Sequence, residues 1–338
     1  MQEIFKIYGW KVISCEPIHQ GLINSTYSIQ TTTGNFILQS INHHVFKSPK
    51  AIDDNINTIS TYLHSHNPKY LFTHLVQAQN GNTLIEWEGS YYRAFHKIDG
   101  YALSVLENEQ QVEEAAQQFA QFTFVLKDFN TVTLQDTLPQ FHDLQFRYHQ
   151  FTEALQNGNA KRINETKEAI LFLQSHKKYV GTYSQFIQHA EVKKRVTHHD
   201  TKISNVLFNK INGQEKAICV IDLDTVMAGY FISDVGDMCR TCLCAVSEEE
   251  KDVNKVVIDS LKWEALQKGY LHFMKEALST FERDHFFFAG QFMIYMQALR
   301  FLTDHLNNDS YYGASYEGQN LVRTLNQIQL LEQYNKLN

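Results

Sequence analysis

The stretch Val196-Thr-His-His-Asp-Thr-Lys-Ile-Ser-Asn-Val-Leu-Phe-Asn209, followed by Ile218-Cys-Val-Ile-Asp-Leu-Asp-Thr225, carries the densest chemical information in the chain. Residues 206–208 and 217–221 are short apolar runs. Asn212-Gly213, a pair suited to tight hairpin turns, lies in the polar loop between them. The pattern predicts an antiparallel hairpin centred near residue 213. Asn205 enters its first strand and Asp222 leaves its second, equidistant from the turn. They are therefore expected to face each other with Cβ atoms roughly 5 Å apart. An amide oxygen and a carboxylate so placed suit one small hard cation such as Mg²⁺, which takes a few protein oxygens plus phosphate and water. Asp200 precedes Asn205 by five residues, in the loop that feeds the hairpin. A carboxylate there can orient an acceptor hydroxyl and take its proton while the metal neutralises phosphates, the division of labour that phosphoryl transfer needs. Asp200 thus reads as the catalytic residue, with Asn205 and Asp222 as metal ligands.

The bland reading has weight too. Sixteen histidines make a chance His-x-Asp-x4-Asn easy to find, and Asp or Asn beside a strand commonly caps a turn. The mirrored Asp222 is what lifts the pattern above coincidence. His198 reads as a brace for the loop rather than a base, and His199 receives no role.

Working outward, 338 residues suit two modest domains or one bilobed unit. The first hundred residues read as strands and turns. Segments 25–31 and 35–41 flank Thr32-Thr33-Gly34, a hairpin signal, and 83–88 and 91–98 flank Gly89-Ser90, a second one. Residues 11–19 and 71–79 are further strand candidates. One helix interrupts them at 53–64, with Ile56, Ile59, Tyr62 and Leu63 at helical spacing. After Gly100 the character changes. Val112, Ala115, Ala116, Phe119, Phe122 and Leu126 form the stripe of an amphipathic helix over 109–127. Segments 141–155, 263–278 and 284–306 also read as helical. The expectation is an α+β chain: a small antiparallel-sheet lobe over 1–98 and a larger, mainly helical lobe over 99–338.

Composition removes several function classes. A net charge of −7 disfavours nucleic acid and anionic lipid as partners. The apolar run 286–299 is too short to span a bilayer and predicts a buried core helix. Five cysteines without framework spacing, and no leader-like N-terminal pattern, predict reduced thiols in a cytoplasmic protein. Cys239, Cys242 and Cys244 read as helix-buried thiols rather than a metal site, since no second Cys/His pair at zinc spacing accompanies them.

His198-x-Asp200-x4-Asn205 with Ile221-Asp222 resembles the catalytic and metal motifs of the aminoglycoside phosphotransferase and choline kinase superfamily. The wider text, Val220-Ile-Asp-Leu-Asp-Thr-Val-Met-Ala-Gly229, Asp234-Val-Gly-Asp237, Arg300-Phe-Leu-Thr-Asp304, Gly21-Leu-Ile-Asn24 and Phe36-Ile-Leu-Gln-Ser-Ile-Asn42, is similar to the N-acetylhexosamine 1-kinases. The resemblance covers about residues 18–312. It implies a bilobed protein-kinase-like fold, ATP and Mg²⁺ as cofactors, and a small sugar as phosphoryl acceptor. One departure stands out. Kinases of this kind usually place a lysine on the third strand, paired with a helix glutamate; here Gln39 stands at that point and the 53–64 helix offers Asn55. The loss of both halves is self-consistent, since a lone buried charge is costly. Gln39 and backbone amides from Gly21 to Asn24 become the candidate phosphate anchors. Phe95 and Lys97 lie where adenine would be read by backbone, or are merely a connecting strand. Asp234 and Asp237 flank Gly236 ahead of an expected helix, as caps or as substrate ligands. Arg300 and Asp304, four apart, form either an ion pair or part of a sugar pocket. The rival readings are a superfamily kinase for choline, an amino acid or an aminoglycoside, and a pseudokinase without turnover.

Overall fold

The computed structural model describes residues 1–18 and 23–337. The first lobe is a five-stranded antiparallel sheet of order β1-β2-β3-β5-β4, formed by β1 (Val12–Ile18), β2 (Ser25–Thr31), β3 (Asn35–Ile41), β4 (Leu84–Trp87) and β5 (Ser90–His96). Its turns follow from local chemistry. The Thr31 hydroxyl accepts the Thr33 and Gly34 N–H groups, closing the β2–β3 corner. Glu88 and Gly89 both take positive φ (49° and 73°), so the β4–β5 turn sits one residue earlier than expected and Ser90 already belongs to the strand. The expected strand over 71–79 is reduced to a single bridge, Leu75 to Phe95, because β4 takes the same edge of β5 at residues 90–93.

Strand alternation gives this sheet two distinct faces. Ile29, Phe36, Leu38 and Ala94 pack on Ile4, Phe5 and Tyr8 of helix α1 (Gln2–Tyr8), a small core of their own. On the other face Ile41 and Phe95 join Ile52, Ile56, Ile59 and Leu63 of α2 (Pro49–His66) in a core continuous with the second lobe. Ser48 caps α2 by accepting the Ala51 N–H, and Pro49 suits the first turn. The helix therefore begins four residues before the apolar stripe alone suggests. Asn55 stitches it to the second lobe. Its Nδ2 donates to the carbonyls of Gln135 and Val226 (2.8 and 3.0 Å), and its Oδ1 accepts the Gln135 N–H (2.9 Å).

The second lobe holds β6 (Tyr101–Ala102), β8 (Val206–Ile211) and β9 (Gln214–Val220) in a three-stranded sheet, and β7 (Arg195–Thr197) paired with β10 (Met227–Gly229). Its helices are α3 (Glu109–Val125), α4 (Leu144–Asn157), α5 (Ala160–Glu165), α6 (Lys167–Ser175), α7 (Lys178–Gln188), α8 (Phe231–Cys242), α9 (Ser260–Met274), α10 (Thr280–Asp284), α11 (Phe286–Leu306) and α12 (Gln319–Tyr334). Helix α11 is the buried centre predicted from its apolar run, packing on α4, α8 and α12. Among the described residues no helix is long and apolar enough to cross a membrane. Cys239 and Cys242 are buried in α8, where burial pushes both thiols up.

Helix α8 departs from expectation. Asp234, Gly236 and Asp237 lie inside it rather than ahead of it. Tyr230 stands at its N-cap with no capping side chain, so no polar residue announces the start. Gly236, a residue that argues against a helix interior, is there for packing: a Cβ would run into the Ala289 carbonyl and Met293 of α11.

Candidate active site

The loop between β7 and β8 carries Asp200, the candidate catalytic residue, and several bonds hold it. His198 is fully buried; its Nε2 lies 3.0 Å from the Ile221 carbonyl and its Nδ1 accepts the Asp200 N–H (3.3 Å). That pairing fixes the tautomer with the proton on Nε2. Burial lowers the His198 imidazole, so it stays neutral, as a brace should. His199 takes φ +65° and sends Nδ1 to the carbonyls of Thr197 and Thr225. Burial pushes it down to about 4. This pair of bonds supplies the role that the sequence left blank.

Asp200 is then presented to the cleft, its side chain 27% exposed. Its Oδ2 accepts from Lys202 Nζ (2.7 Å) and from Asn205 Nδ2 (2.9 Å). Burial alone would raise the Asp200 carboxyl, but Lys202, His198 and Asn205 carry it below its ordinary value. Asn205 Nδ2 also donates to the Asp200 carbonyl (2.9 Å). With its amide nitrogen committed, Asn205 keeps Oδ1 for another partner. Lys202 is a site residue that sequence reasoning passed over, although its place two residues after Asp200 is a readable signal.

The hairpin register corrects one expectation. A bulge at Leu207/Phe208 pairs Val206 with Val220, and Ile221 N–H donates to the Asn205 carbonyl (2.9 Å). Asn205 thus faces Ile221, and Asp222 comes one residue later. Asp222 adopts φ +61° and opens the short 3-10 turn Leu223–Thr225. Burial, then the nearby Asp224 and Asp200 carboxylates, push its carboxyl up to about 7. Crowded carboxylates beside a free amide oxygen form a donor set that suits a divalent cation. Among the described residues no group of three His, Cys, Asp or Glu could hold a metal. A cation here would rest on Asn205 and Asp222 and take its other oxygens from phosphate and water, as Mg²⁺ commonly does.

Opposite, the sheet contributes a polar row. Gln39 on β3 stands beside Thr26 on β2 and Arg93 on β5. Arg93, buried completely, donates to Gln39 Oε1 from Nε and Nη2 (3.0 and 2.8 Å) and pairs with Asp224. Asn24 Nδ2 donates to the other Asp224 oxygen (2.7 Å), while its Oδ1 accepts the Asn42 N–H (3.0 Å). Gly21 lies outside the described residues. Phe95 is buried in the shared core. Lys97 has its N–H committed to the Asn35 carbonyl (3.0 Å) and its Nζ on Ser28 (3.1 Å). An adenine-reading role for the Lys97 amide gives way, because that donor already closes the β3–β5 ladder.

The expectation of Asp234 as a substrate ligand gives way as well. It is 1% exposed, and its two oxygens accept the N–H groups of His198 (3.0 Å) and His199 (2.8 Å). It holds the loop that carries Asp200. Asp237, one turn on, pairs with Arg240 through Oδ1 and leaves Oδ2 without a protein partner. Arg300 forms no ion pair with Asp304. Asp304 instead accepts the Tyr311 and Tyr312 N–H groups. Arg300 lies over the Phe141, Tyr311 and Tyr312 rings (5.1, 5.8 and 5.4 Å). It opens on a cavity of about 220 Å³ shared with Arg147, Gln150, Tyr311 and Tyr312. His142, which follows Phe141, stands 5.3 Å from the His199 ring. Among the described residues Arg147 bonds only to the Phe141 carbonyl and Gln150. Burial and the nearby Arg300 bring its guanidinium down to about 10.

Comparison with known proteins adds an independent line. Residues 14–256 match the profile of a family described as the phosphotransferase enzyme family. An aminoglycoside phosphotransferase from Alicyclobacillus acidocaldarius superposes with a TM-score of 0.67 at 12% identity, over 100% of this chain and 95% of that one. A microcompartment-associated aminopropanol kinase gives 0.64 at 13% identity, over 99% and 96%. A spectinomycin phosphotransferase in complex with ADP and spectinomycin gives 0.63 at 12%, over 99% and 97%. At these identities the likeness speaks to the fold, which is kinase-like.

Proposed function

Because the chain belongs to the phosphotransferase enzyme family, we propose that it transfers the terminal phosphoryl group of ATP to a hydroxyl of a small molecule, with the anomeric hydroxyl of an N-acetylhexosamine as the favoured acceptor. One observation carries the transfer itself: Asp200, pre-oriented by Asn205 and Lys202, stands partly exposed beside the Asn205–Asp222 donor set. Asp200 accepts the hydroxyl hydrogen and holds the oxygen in line. Lys202, whose ammonium Asp200, Asp222 and Asp237 hold above its ordinary value against the effect of burial, offers positive charge to the moving phosphoryl group. Asn205 and Asp222 would hold Mg²⁺, which when bound neutralises the phosphates. The intact set argues against a pseudokinase.

The acceptor side rests on the Arg147–Arg300 cavity. Neither arginine has a carboxylate partner among the described residues. Asp304 also lines the cavity, but its oxygens are taken by the Tyr311 and Tyr312 N–H groups, so the two arginines outweigh it. Such a pocket disfavours the cationic acceptors that aminoglycoside and choline kinases take, and suits hydroxyl and carbonyl oxygens. The Tyr311 and Tyr312 rings that line it match the flat faces of a pyranose. Twin arginines also suit a sugar carrying a carboxylate. The test is ³¹P NMR of products from ATP, Mg²⁺ and a panel of N-acetylhexosamines, a hexuronic acid, choline and an aminoglycoside. An anomeric phosphate on an N-acetylhexosamine is expected. Transfer to choline with none to any sugar overturns the acceptor reading.

A further inference from the structure

The place of the missing third-strand lysine is taken by a neutral side chain, yet the row behind it is not neutral. Register sets Gln39 directly opposite Arg93, so both project to the face that looks into the cleft. Arg93 is completely buried, so it acts on the cleft through the groups it touches. Its contacts run outward. Nε and Nη2 both reach Gln39 Oε1, and Nη2 also reaches Asp224, two residues past Asp222.

An arginine has donors and no acceptor, which leaves Gln39 one orientation: Oε1 inward, Nε2 outward. Gln39 is only half-buried, and its Nε2 makes one long bond, 3.3 Å, to the Thr26 hydroxyl. Thr26 follows Asn24, which reaches down to Asp224. The outward amide thus lies beside Thr26, near the strand end from which Asn24 reaches Asp224, with donor capacity to spare. A glutamine amide free to flip would offer phosphate its repulsive oxygen as readily as its donor. Arg93 removes that choice and polarises the amide toward the cleft.

We propose that Arg93 is a positioning residue that, anchored by Asp224, fixes the Gln39 amide as the donor of the small lobe to the nucleotide phosphates. This replaces a strand lysine and helix glutamate with a strand arginine and a carboxylate of the metal-bearing turn. One ion pair then ties the nucleotide side of the sheet to the second lobe. The inference rests on the nucleotide reading above.

Isothermal titration with Mg²⁺ and AMP-PNP tests it without an acceptor. Gln39→Leu removes the donor and leaves the ion pair; it is expected to weaken binding on the order of tenfold, the effect of one hydrogen bond to a charged group. Arg93→Met with Asp224→Asn removes the pair without stranding a charge, and should weaken binding to a similar extent. Adding Gln39→Leu to that double variant should then change little, since Arg93 acts through Gln39. In turnover assays the KM for ATP should rise while the KM for the acceptor holds, a split that a merely structural role does not produce. Wild-type affinity in Gln39→Leu, or effects that simply multiply, overturns the relay. Should the double variant fail to fold, Gln39→Leu alone decides. Absence of nucleotide binding by the wild-type protein overturns the functional reading, and the relay with it.

Discussion

Replacing Glu282 by Gln strips one charge from the buried pair that anchors the strand entering the catalytic loop. Arg195 opens β7, and its guanidinium donates to both Glu282 oxygens (2.6 and 2.8 Å) and to the Ala277 carbonyl (2.8 Å). Glu282 also accepts the Lys193 N–H (3.2 Å) and closes a capping box with Ser279 at the start of α10. The paired side chains are 6% and 1% exposed, so neither charge finds water if the other is lost. Removing one partner of such a pair costs about 3–5 kcal/mol. Gln keeps the shape and the box, so the lower end, about 3 kcal/mol, is expected for Glu282→Gln, and the upper end for Glu282→Ala, which loses the cap too. Arg195→Met should be about as harmful, yet the double variant Arg195→Met/Glu282→Gln should recover most of the loss, because no bare charge remains. Urea unfolding followed by tryptophan fluorescence reads each value from the shift in midpoint at constant slope. Burial alone would raise the Glu282 carboxyl, but the Arg195 and backbone bonds hold it below its ordinary value. Its contribution is therefore present above the unfolded value and is lost as pH falls through the lower folded one. A loss under about 1 kcal/mol in Glu282→Gln, or a double variant as unstable as the sum of the singles, refutes this account.

Asp200→Asn keeps the shape but cannot take a proton, so kcat should collapse while nucleotide binding survives; near-wild-type turnover would remove Asp200 from the chemistry. Asn205→Ala should raise the Mg²⁺ concentration needed for half-maximal activity, and an unchanged Mg²⁺ titration would contradict its assignment as a ligand. Arg300→Ala should raise the acceptor KM far more than the ATP KM; equal effects would take Arg300 out of the acceptor cavity. His199 is held neutral by burial, with its value near 4 against 6.5 when unfolded, so stability should fall as pH drops from about 6.5 to 4, by about 3 kcal/mol from this group. His199→Asn, an αL-tolerant residue that does not titrate, should flatten that slope in urea titrations at pH 7 and pH 4.5; an identical slope would show the histidine is not the cause.

Much of the catalytic loop was legible because its signals are local. Asn212-Gly213 takes positive φ at both residues, as a tight hairpin demands, and the apolar runs beside it have no alternative partner nearby. Equidistance of Asn205 and Asp222 needs a turn centred just past Gly213, whereas the hairpin turns between Asn212 and Gly213; the bulge at Leu207/Phe208 recovers one residue of that two-residue mismatch, and Asp222 still falls one beyond the partner of Asn205. Asp234 was misplaced for a different reason: α8 starts without a capping side chain and carries a glycine required by its neighbour α11, a fact visible only once the two helices meet. Arg93 was passed over because an arginine in a strand reads as its solvent side. Complete burial became intelligible only when register set it across from Gln39 and folding brought Asp224, 131 residues away, against it. Lys202 had a sequence signal, its spacing from Asp200, and was missed for want of a partner to name.

Asn55 has a consequence for how the cleft can breathe. Helix α2 is fastened to the second lobe by three hydrogen bonds and shares its core, whereas the far face of the sheet rests on α1 in a core of its own. The sheet itself meets that lobe through Ile41 and Phe95 in the shared core and through Arg93 and Asn24 on Asp224. Widening the cleft therefore has to part the Asp224 contacts first, while α2 stays with the lobe that holds Asn55.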